Sequence, residues 1–405
     1  MKLHDCIVVG GGPAGSTVGS LLAKDGHDVL VLERAVFPRF HVGESLLPSE
    51  LPIFEKLGFD VSEIPSLHKH GADFLDERTG KCGRFAFAQG LEGTPSYSFQ
   101  VERAVFDEAL LKRSMELGAE IRQGTRVLDV DVGADFVTVR TEDGEHRARF
   151  LVDATGRDRL LSKQHATYER VEDLGLAAVW GHFDGILPSE RVELEKTGNI
   201  IILMIDGGWG WVIPLVGGRI STGFVSAEKG VVSHDWFEEN FVGSPFLQKI
   251  TKGATRTPLK MAGDFSYKNT APHGPRWACV GDANGFLDPV FSSGVALAMA
   301  GADKLVELLS PALTENREDD TALMVPMQAH MEDAYAVFKA VVQSFYHTNL
   351  VDNLFFYDDP DVNLRAGLIS ILAGDVWRDD NDFQKMILRR NAKRYRRKAQ
   401  APQVA

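Results

Sequence analysis

The chain has 405 residues, of which 44% are hydrophobic and 25% charged, so it can bury a large core divided over roughly two or three lobes. Its formal net charge of -13 argues against nucleic acid as a partner, because phosphate binding calls for a basic surface. It contains no apolar run long enough to cross a bilayer, and its three cysteines are widely spaced. We therefore expect a cytoplasmic protein with no membrane partner, no disulfide framework and no metal site.

The first residues have the pattern of a dinucleotide-binding βαβ unit. Residues 6–10 form an apolar run, residues 16–24 have helical spacing, and residues 28–33 form a second apolar run that ends in Glu33. A glycine turn in this position lets a pyrophosphate approach the helix N-terminus, and Glu33 can accept hydrogen bonds from a ribose hydroxyl. The predicted turn consists of Gly10, Gly12, Pro13, Ala14 and Gly15. The glycine pattern by itself leaves NAD and FAD open.

Further periodic segments complete the predicted architecture. We predict helices over 106–117, 294–309, 333–346 and 367–373, and strands over 126–132, 136–141, 150–152 and 277–280. Alternating apolar and polar residues over 74–97 and 175–224 predict an antiparallel sheet layer. The predicted fold class is α/β: a Rossmann-like dinucleotide-binding fold with that sheet layer and a helical C-terminal cap. We predict two regions: a core over 1–310 and a cap with a basic tail over 311–405. Within the core, the nucleotide lobe covers about 1–72, 99–163 and 256–310. The substrate-side sheet covers about 73–98 and 164–255.

Two later segments decide between the dinucleotides. Residues 150–156 and 278–283 each run from a buried strand into a polar turn, and the second turn contains Asp282. They resemble the Ala-Thr-Gly and Gly-Asp elements of FAD-binding monooxygenase-like proteins of the glutathione-reductase type. This resemblance implies an FAD-binding, Rossmann-like fold of that type, and Arg103 matches a position that contacts the flavin in that group. An ion pair with Glu102 or Asp107 is the alternative for Arg103. No second glycine fingerprint follows a strand, so we expect the electrons to come from another protein.

The hexapeptide Trp209-Gly210-Trp211-Val212-Ile213-Pro214 is the most informative feature of the chain. Two indoles around a glycine suggest a shaped wall beside a reactive centre, because tryptophan needs its apolar face covered and its N–H bonded. A strand with one aromatic face is the alternative. One-component aromatic hydroxylases usually have an aspartate before the glycine of the middle motif, where this chain has Thr155, and this difference weakens a hydroxylase interpretation.

From residue 1 to about residue 309 the chain resembles the flavin-dependent halogenases, particularly the branch that acts on phenols and pyrroles. The resemblance rests on the hexapeptide, on residues 288–295, on the loop Val42-Gly43-Glu44-Ser45 and on Lys69. It implies chlorination or bromination of an electron-rich aromatic ring, with reduced FAD supplied by a transiently bound flavin reductase. The rivals are a flavin monooxygenase or reductase of the same fold, and a flavin-binding scaffold without catalysis.

The resemblance also implies roles for particular residues. Lys69 would receive hypohalous acid, either by donating a hydrogen bond to it or by forming a haloamine; without the resemblance, Lys69 would be read as a surface residue. The amides of Ser293 and Gly294 would bind chloride or bromide. The expected wall residues are Trp209, Trp211, Pro214 and Phe291. The expected flavin contacts are Gly10, Gly12, Pro13, Ala14, Gly15, Glu33, Arg34, Glu44, Ser45, Arg103, Val127, Asp282, Gly294 and Val295.

The form of the substrate stays open. Halogenases of free tryptophan have a glutamate where this chain has Phe291, which favours a phenol or pyrrole over a free indole. The substrate could be a free aromatic molecule or an acyl group on a carrier protein, and the basic residues 389–398 motivate docking of an acidic carrier. His41, Glu44 and His70 are each candidate general bases, and the sequence does not choose among them.

Overall fold

The structure is a computed structural model that describes residues 2–171, 174, 177–226, 228–357 and 360–400, with the backbone only for 393–400. The strands are β1 (Leu3–Val9), β2 (Val29–Glu33), β3 (Ser66–Lys69), β4 (Gly71–Asp76), β5 (Lys81–Ala86), β6 (Ser98–Val101), β7 (Glu120–Gln123), β8 (Val127–Val132), β9 (Val137–Thr141), β10 (Gly144–Asp153), β11 (Tyr168–Arg170), β12 (Ala177–Asp184), β13 (Ile200–Ile205), β14 (Gly208–Leu215), β15 (Arg219–Ser226), β16 (Thr255–Arg256), β17 (Lys260–Gly263), β18 (Tyr267–Asn269), β19 (His273–Gly274), β20 (Trp277–Cys279) and β21 (Gly285–Phe286). The helices are α1 (Pro13–Lys24), α2 (Leu51–Leu57), α3 (Arg103–Glu116), α4 (Leu160–Gln164), α5 (Pro188–Glu195), α6 (His234–Val242), α7 (Pro245–Ile250), α8 (Ser293–Glu315), α9 (Val325–His347), α10 (Val362–Leu372) and α11 (Asp382–Gln400).

The first sheet is the nucleotide sheet, with the strand order β19-β20-β10-β1-β2-β7 and the β8–β9 hairpin attached to β10. The pairs β20–β10, β10–β1, β1–β2 and β2–β7 are parallel. Their central strands are buried on both faces, as expected when helices cover a parallel sheet, and α1 packs against α3 and α8 on one side. This arrangement confirms the predicted α/β, Rossmann-like fold.

The second sheet carries the tryptophan hexapeptide on β14, a central strand. Its order is β16-β12-β15-β14-β13-β4-β5, with β17 also paired to β12. The sheet is antiparallel except for one pair, because β13 and β4 run parallel with Ile200 opposite Ala72. Strand β17 belongs to this sheet although the sequence placed its residues in the nucleotide lobe, since its neighbour in space is β12 and not a Rossmann strand.

The C-terminal region is helical, as predicted, but its first boundary differs. The sequence ended a helix at residue 309 because Pro311 follows, whereas α8 continues through Pro311 to Glu315. A proline this close to the helix end removes one backbone hydrogen bond near the terminus, and the burial of Ala312 and Leu313 offsets that loss. The division at residues 310 and 311 therefore falls inside a continuous helix.

Helix α11 contains the basic tail. Its first turns are anchored by Phe383 and Ile387, which are buried in the cap. The side chains of residues 393–398, which make up most of the predicted docking segment, lie outside the described residues. Within the described part of the chain, every helix is too short or too polar to cross a membrane.

Candidate active site

A cavity of about 890 Å³ lies where the carboxyl ends of the parallel strands face the second sheet. Ligands of open α/β folds bind at this edge, since loops and helix N-termini converge there. Most of the predicted site residues come together around this single space. The predicted residues that line it are Gly10, Gly12, Pro13, Ala14, Glu33, Arg34, Glu44, Ser45, Arg103, Val127, Trp209, Trp211, Asp282, Gly294 and Val295.

The glycine turn at one end of the cavity is built for close backbone approach. Gly10 has φ +105°, and a Cβ there would lie 2.4 Å from the carbonyl oxygen of Ala154. Gly15 does not line the cavity: a Cβ there would meet the carbonyl oxygen of Gly10 at 1.9 Å, so Gly15 allows the helix to pack against the turn. Glu33 accepts hydrogen bonds from the backbone amides of Gly11 at 2.7 Å and Ala35 at 2.8 Å.

Arg103 forms hydrogen bonds to the loop of residues 39–45 and also lines the cavity. Its Nε donates to Asp107 at 2.7 Å, and its Nη1 donates to the carbonyl oxygen of Val42 at 3.0 Å. The Asp107 pair is the alternative that the sequence left open, and it coexists with a position on the cavity wall. Burial and the neighbouring Arg103 lower the pKa of His41 to about 4, which makes it a weak candidate for the general base.

Glu44 in the same loop pairs with a residue that the sequence did not single out. His182 of β12 lies with its Nε2 2.6 Å from Glu44 Oε1, in a buried contact. The second carboxylate oxygen of Glu44 has no hydrogen-bond partner among the described residues, although Glu44 lines the cavity. No local pattern marks His182, because it reaches Glu44 only through the packing of β12 against this loop.

Asp282 follows β20 at the carboxyl edge of the nucleotide sheet. Burial raises its pKa to about 6, and the opposing positive charges of Arg103 and Arg157 limit that rise. A carboxyl group at this point of the cavity can bond a sugar or polyol hydroxyl in either protonation state. Arg34, at the nucleotide end, forms an ion pair with Asp158, and both side chains line the cavity.

The tryptophan wall depends on two glycines. Trp209 and Trp211 lie on the cavity face of β14 with ring centroids 5.9 Å apart. A Cβ at Gly210 would lie 2.6 Å from the ring of Phe224, and a Cβ at Gly223 would lie 2.5 Å from the ring of Trp211. Glycine between the indoles therefore admits Phe224 on the opposite face, and glycine on β15 admits the indole itself.

Both indole N–H groups of the hexapeptide have a partner, which reduces the cost of burying these polar groups. Trp211 donates to the hydroxyl of Ser221 at 3.2 Å, and Trp209 donates to the hydroxyl of Tyr346 at 2.9 Å. Tyr346 lies on α9 and donates in turn to Asp288 at 3.0 Å. The cap thus connects the wall to the residues that precede α8.

Two predicted wall residues are placed elsewhere. Side chains alternate along a strand, so Pro214 points to the face opposite Trp209 and Trp211, where it borders a small crevice with Ile186. Phe291 is also absent from the described lining of the cavity, because it packs edge-on against Phe345 of α9 at 5.7 Å. The prediction of Pro214 as a wall residue is wrong, and Phe291 supports the wall from behind the cavity surface.

Ser293 and Gly294 are the first residues of the 23-residue helix α8. Ser292 before them is left-handed, with φ 56° and ψ 21°, and such a residue followed by a helical turn gathers successive amide groups around one point. The first amides of a helix have no partner within it and favour an anion. Gly294 lines the cavity, whereas Ser293 is buried behind it.

Lys69 is enclosed in the protein rather than placed at the surface. Only 2% of this residue is exposed, and its Nζ donates to the carbonyl oxygen of Leu46 at 2.8 Å and lies 5.3 Å from the ring centroid of Phe87. Burial lowers the pKa of the Lys69 amine to about 7, and the carboxyl group of Glu50 acts against that change. Lys69 does not line the cavity, but its strand β3 contacts β14, the strand of the tryptophan wall.

The cavity fits FAD by its own chemistry. It combines a glycine cradle that a single Cβ would fill, an acid at the end of β2, and a buried Glu44 oxygen without a partner among the described residues. Gly10, Glu33 and Asp282 would hold the nucleotide and polyol parts, and the tryptophan wall would border the ring end.

Comparisons with known proteins show the family to which the chain belongs. The family model described as tryptophan halogenase matches residues 5–94 and 84–374. A tryptophan 2-halogenase of Chondromyces crocatus is 33% identical over 368 residues, covering 87% of this chain and 69% of that protein. A 1H-pyrrole-2-carbonyl-(peptidyl-carrier protein) chlorinase of Pseudomonas fluorescens is 28% identical, covering 92% of this chain and 90% of that protein. The structure of the flavin-dependent brominase Bmp2 matches with a TM-score of 0.83 and 25% identity, covering 98% of this chain and 100% of that chain.

The family match and the relatives, together with the fold, place the chain among the flavoprotein oxidoreductases. More narrowly, the chain belongs to the tryptophan halogenase family and is a flavin-dependent halogenase.

Proposed function

We propose that this enzyme chlorinates or brominates an electron-rich phenol or pyrrole and that the hypohalous acid it uses is guided to Lys69. The observation that carries the proposal is the position of Lys69, which is buried, with its pKa lowered to about 7, on a strand that contacts β14, the strand that carries the tryptophan wall. A lysine kept for solubility alone would be exposed. The enclosure instead suits a group that handles a reactive oxidant away from bulk water.

Each part of the site would have a separate role in the proposed reaction. When bound, reduced FAD supplies the chemistry that turns oxygen and halide into hypohalous acid. The amides at the start of α8 would hold the halide, and Trp209 and Trp211 would keep the aromatic substrate from the flavin side of the wall. Lys69 would then present the oxidant to one ring carbon, by a hydrogen bond or as a haloamine.

The substrate class is proposed from the residues beside the wall. Phe291 and Phe345 form an apolar contact there, so no carboxylate at position 291 is present to stabilise a cationic ring. A phenol or pyrrole stabilises such a ring through its own oxygen or nitrogen. The pyrrole-carrier chlorinase supports a tethered acyl substrate, and the tryptophan 2-halogenase makes free tryptophan the competing candidate.

A product panel tests the proposal. The protein would be incubated with a flavin reductase, FAD, a nicotinamide reductant, oxygen and chloride or bromide, together with free phenols, free pyrroles, tryptophan or carrier-bound pyrrole-2-carboxyl groups. Mass spectrometry is expected to show a halogenated phenol or pyrrole that is missing without halide. Hydroxylated products in place of halogenated ones would favour the monooxygenase alternative, and the absence of any product would favour the non-catalytic scaffold.

A further inference from the structure

The loop of residues 39–45 is a wall of the cavity and is held in place by its neighbours. All of its residues line the cavity, and they lie between β2 and α2, outside the helices and strands of the described fold. On the nucleotide side, Arg103 donates to the carbonyl oxygen of Val42 at 3.0 Å, and Arg39 of the loop donates to Asp107 at 2.8 Å. The position of the loop therefore depends on contacts with neighbouring elements.

His182 of β12 bonds this loop from the opposite side, where the second sheet lies. Its Nε2 donates to Glu44 Oε1 at 2.6 Å, since a carboxylate oxygen can only accept. Both residues are buried, with 8% of His182 and 2% of Glu44 exposed. Because the other oxygen of Glu44 has no partner among the described residues, His182 is the one hydrogen-bond partner that they provide for this carboxylate.

Phe40 gives the loop a second contact on the same side. Its ring meets the imidazole of His182 edge-on, with centroids 5.8 Å apart and an angle of 84° between the planes. The Nζ of Lys260 lies 3.0 Å from the centroid of the Phe40 ring, and Lys260 belongs to β17, which pairs with β12. Two residues of the loop thus contact the same imidazole.

The backbone of His182 is fixed in the second sheet beside the tryptophan wall. Its amide donates to the hydroxyl of Thr257 at 3.0 Å, and its carbonyl oxygen accepts from the Thr257 amide at 2.9 Å. His182 lies opposite Ser221 of β15, the residue that accepts the N–H of Trp211. Side chains two residues apart on a strand share a face, so His182 and the cavity-lining Trp180 point to the same side of β12.

His182 itself is outside the described lining of the cavity, so its influence on a bound flavin must pass through the loop. We propose that His182 is a positioning residue for the flavin and that it acts through Glu44. Its hydrogen bond ties the loop of residues 39–45 to the strand next to the tryptophan wall, and the loop would then keep a fixed place over FAD. This inference requires FAD in the cavity, but it depends neither on the role proposed for Lys69 nor on the substrate class.

The rate of FAD dissociation tests this role without relying on turnover. FAD-loaded protein would be diluted rapidly, and the released FAD would be followed by its fluorescence. His182→Phe keeps a ring against Phe40 and removes the donor to Glu44. It is expected to raise the dissociation rate roughly tenfold, because a hydrogen bond to a charged group that holds the loop is lost. His182→Gln retains a side-chain N–H donor and is expected to restore most of the wild-type rate.

His273→Phe is the matched control. The Nε2 of His273, on β19, lies 2.8 Å from Gln328 Oε1, and both residues are outside the described lining of the cavity. The substitution removes a histidine hydrogen bond to a distant element without touching the loop, so the FAD dissociation rate should remain at the wild-type value. An equal increase in His182→Phe and His273→Phe would indicate a general loosening of the fold and would overturn the proposal.

An unchanged dissociation rate in folded His182→Phe protein would overturn it as well. If that variant fails to fold because the buried carboxylate of Glu44 loses its partner, the bond can be removed without the charge. Glu44→Gln keeps an acceptor for His182, whereas Glu44→Gln combined with His182→Phe does not. The double variant is expected to release FAD faster than Glu44→Gln, and equal rates contradict the proposal. A wild-type protein that makes no halogenated phenol or pyrrole would count against the proposed function, whereas these rates report on the loop alone.

Discussion

Lys69 shows most clearly how the burial of one ionisable side chain can oppose the stability of the fold. An exposed lysine has a pKa near 10.4 in an unfolded chain, whereas burial holds the Lys69 pKa at about 7 in the folded chain. Between these two pKa values the unfolded chain binds more protons than the folded chain. The free energy of unfolding of the wild-type protein therefore rises with pH over this range. Burial of the amine therefore costs most at and below neutral pH.

Lys69→Met is accordingly expected to stabilise the fold, and the gain should shrink as pH rises from 7 towards 10. The change is at most about 1.4 kcal/mol per pH unit, the value of one pKa unit. Urea unfolding at three pH values measures it, with Lys112→Met on the exposed face of α3 as the control. A gain that does not depend on pH would show that the amine is not shifted by burial.

Gly223 is a second residue whose identity is explained by packing, because neighbouring tryptophans leave no room for a side chain there. A Cβ there would lie 2.4 Å from the Cβ of Trp180 and 2.5 Å from the ring of Trp211, so Gly223→Ala must displace the wall. We expect a loss of about 1–3 kcal/mol in unfolding free energy and a lower yield of halogenated product, as for overpacked cores.

Gly301→Ala is the matched control for this substitution. Gly301 lies inside α8, and a Cβ there would meet only the flexible side chain of Met331 at 3.4 Å. Alanine at this position is expected to be neutral or stabilising by up to about 1 kcal/mol. Equal losses for both variants, measured by chemical unfolding, would contradict the tight fit assigned to the wall.

At the scale of elements, α9 anchors the tryptophan wall through one hydroxyl group. Tyr346→Phe removes the acceptor of the Trp209 N–H and the donor to Asp288, leaving buried polar groups with fewer partners. The expected cost is about 1–3 kcal/mol. Because the wall and the residues before α8 are then no longer joined, we also expect a higher Michaelis constant for halide in steady-state halogenation.

Tyr335→Phe separates the loss of stability from the change in the Michaelis constant for halide. Tyr335 lies on the same helix and donates to the carbonyl oxygen of Gly285 at 2.9 Å, so its loss also costs stability. The Tyr335 hydroxyl does not bond Trp209, so the Michaelis constant for halide in Tyr335→Phe should remain at the wild-type value. A rise in both variants would assign the effect to a general loosening of α9.

The elements also show where sequence reasoning succeeds and where it stops. The first βαβ unit, the β8–β9 hairpin and β14 were all predicted, because apolar spacing and glycine turns act over a few residues. The continuation of α8 through Pro311 was not, since only tertiary burial outweighs the local penalty. His182 and Tyr346 carry no local signal at all, because each makes its hydrogen bond to an element distant in the chain.

At the scale of the whole molecule, the site is divided among all three parts of the chain. The nucleotide sheet supplies the glycine turn and the acids, the second sheet supplies the indoles, and the cap supplies Tyr346. The resemblance predicted Lys69 at the halogenation site and the hexapeptide as a wall between the flavin and the substrate. The packing that encloses Lys69 could not be read from a basic Lys-His pair, which by itself suggests a solvated surface.

The basic tail is a further property of the whole chain. Residues 393–398 contain five basic residues in a protein of formal net charge -13. This segment would attract an acidic carrier protein electrostatically. Truncation after Ala392 keeps the packing of Phe383 and Ile387. It is expected to raise the Michaelis constant several-fold for a carrier-bound substrate, more at low salt, and to leave a free substrate unaffected. An equal constant in both proteins would make the tail a solvated terminus.

The central claim is that oxidant is formed in the flavin cavity and used at Lys69. The most direct measurement gives Lys69→Met protein reduced FAD, oxygen and halide, and follows two yields: halogenation of monochlorodimedone, which traps free hypohalous acid, and halogenation of the aromatic substrate. We predict that the first yield persists while the second is lost, with FAD binding unchanged. An aromatic product formed at the wild-type rate in this variant would contradict the account.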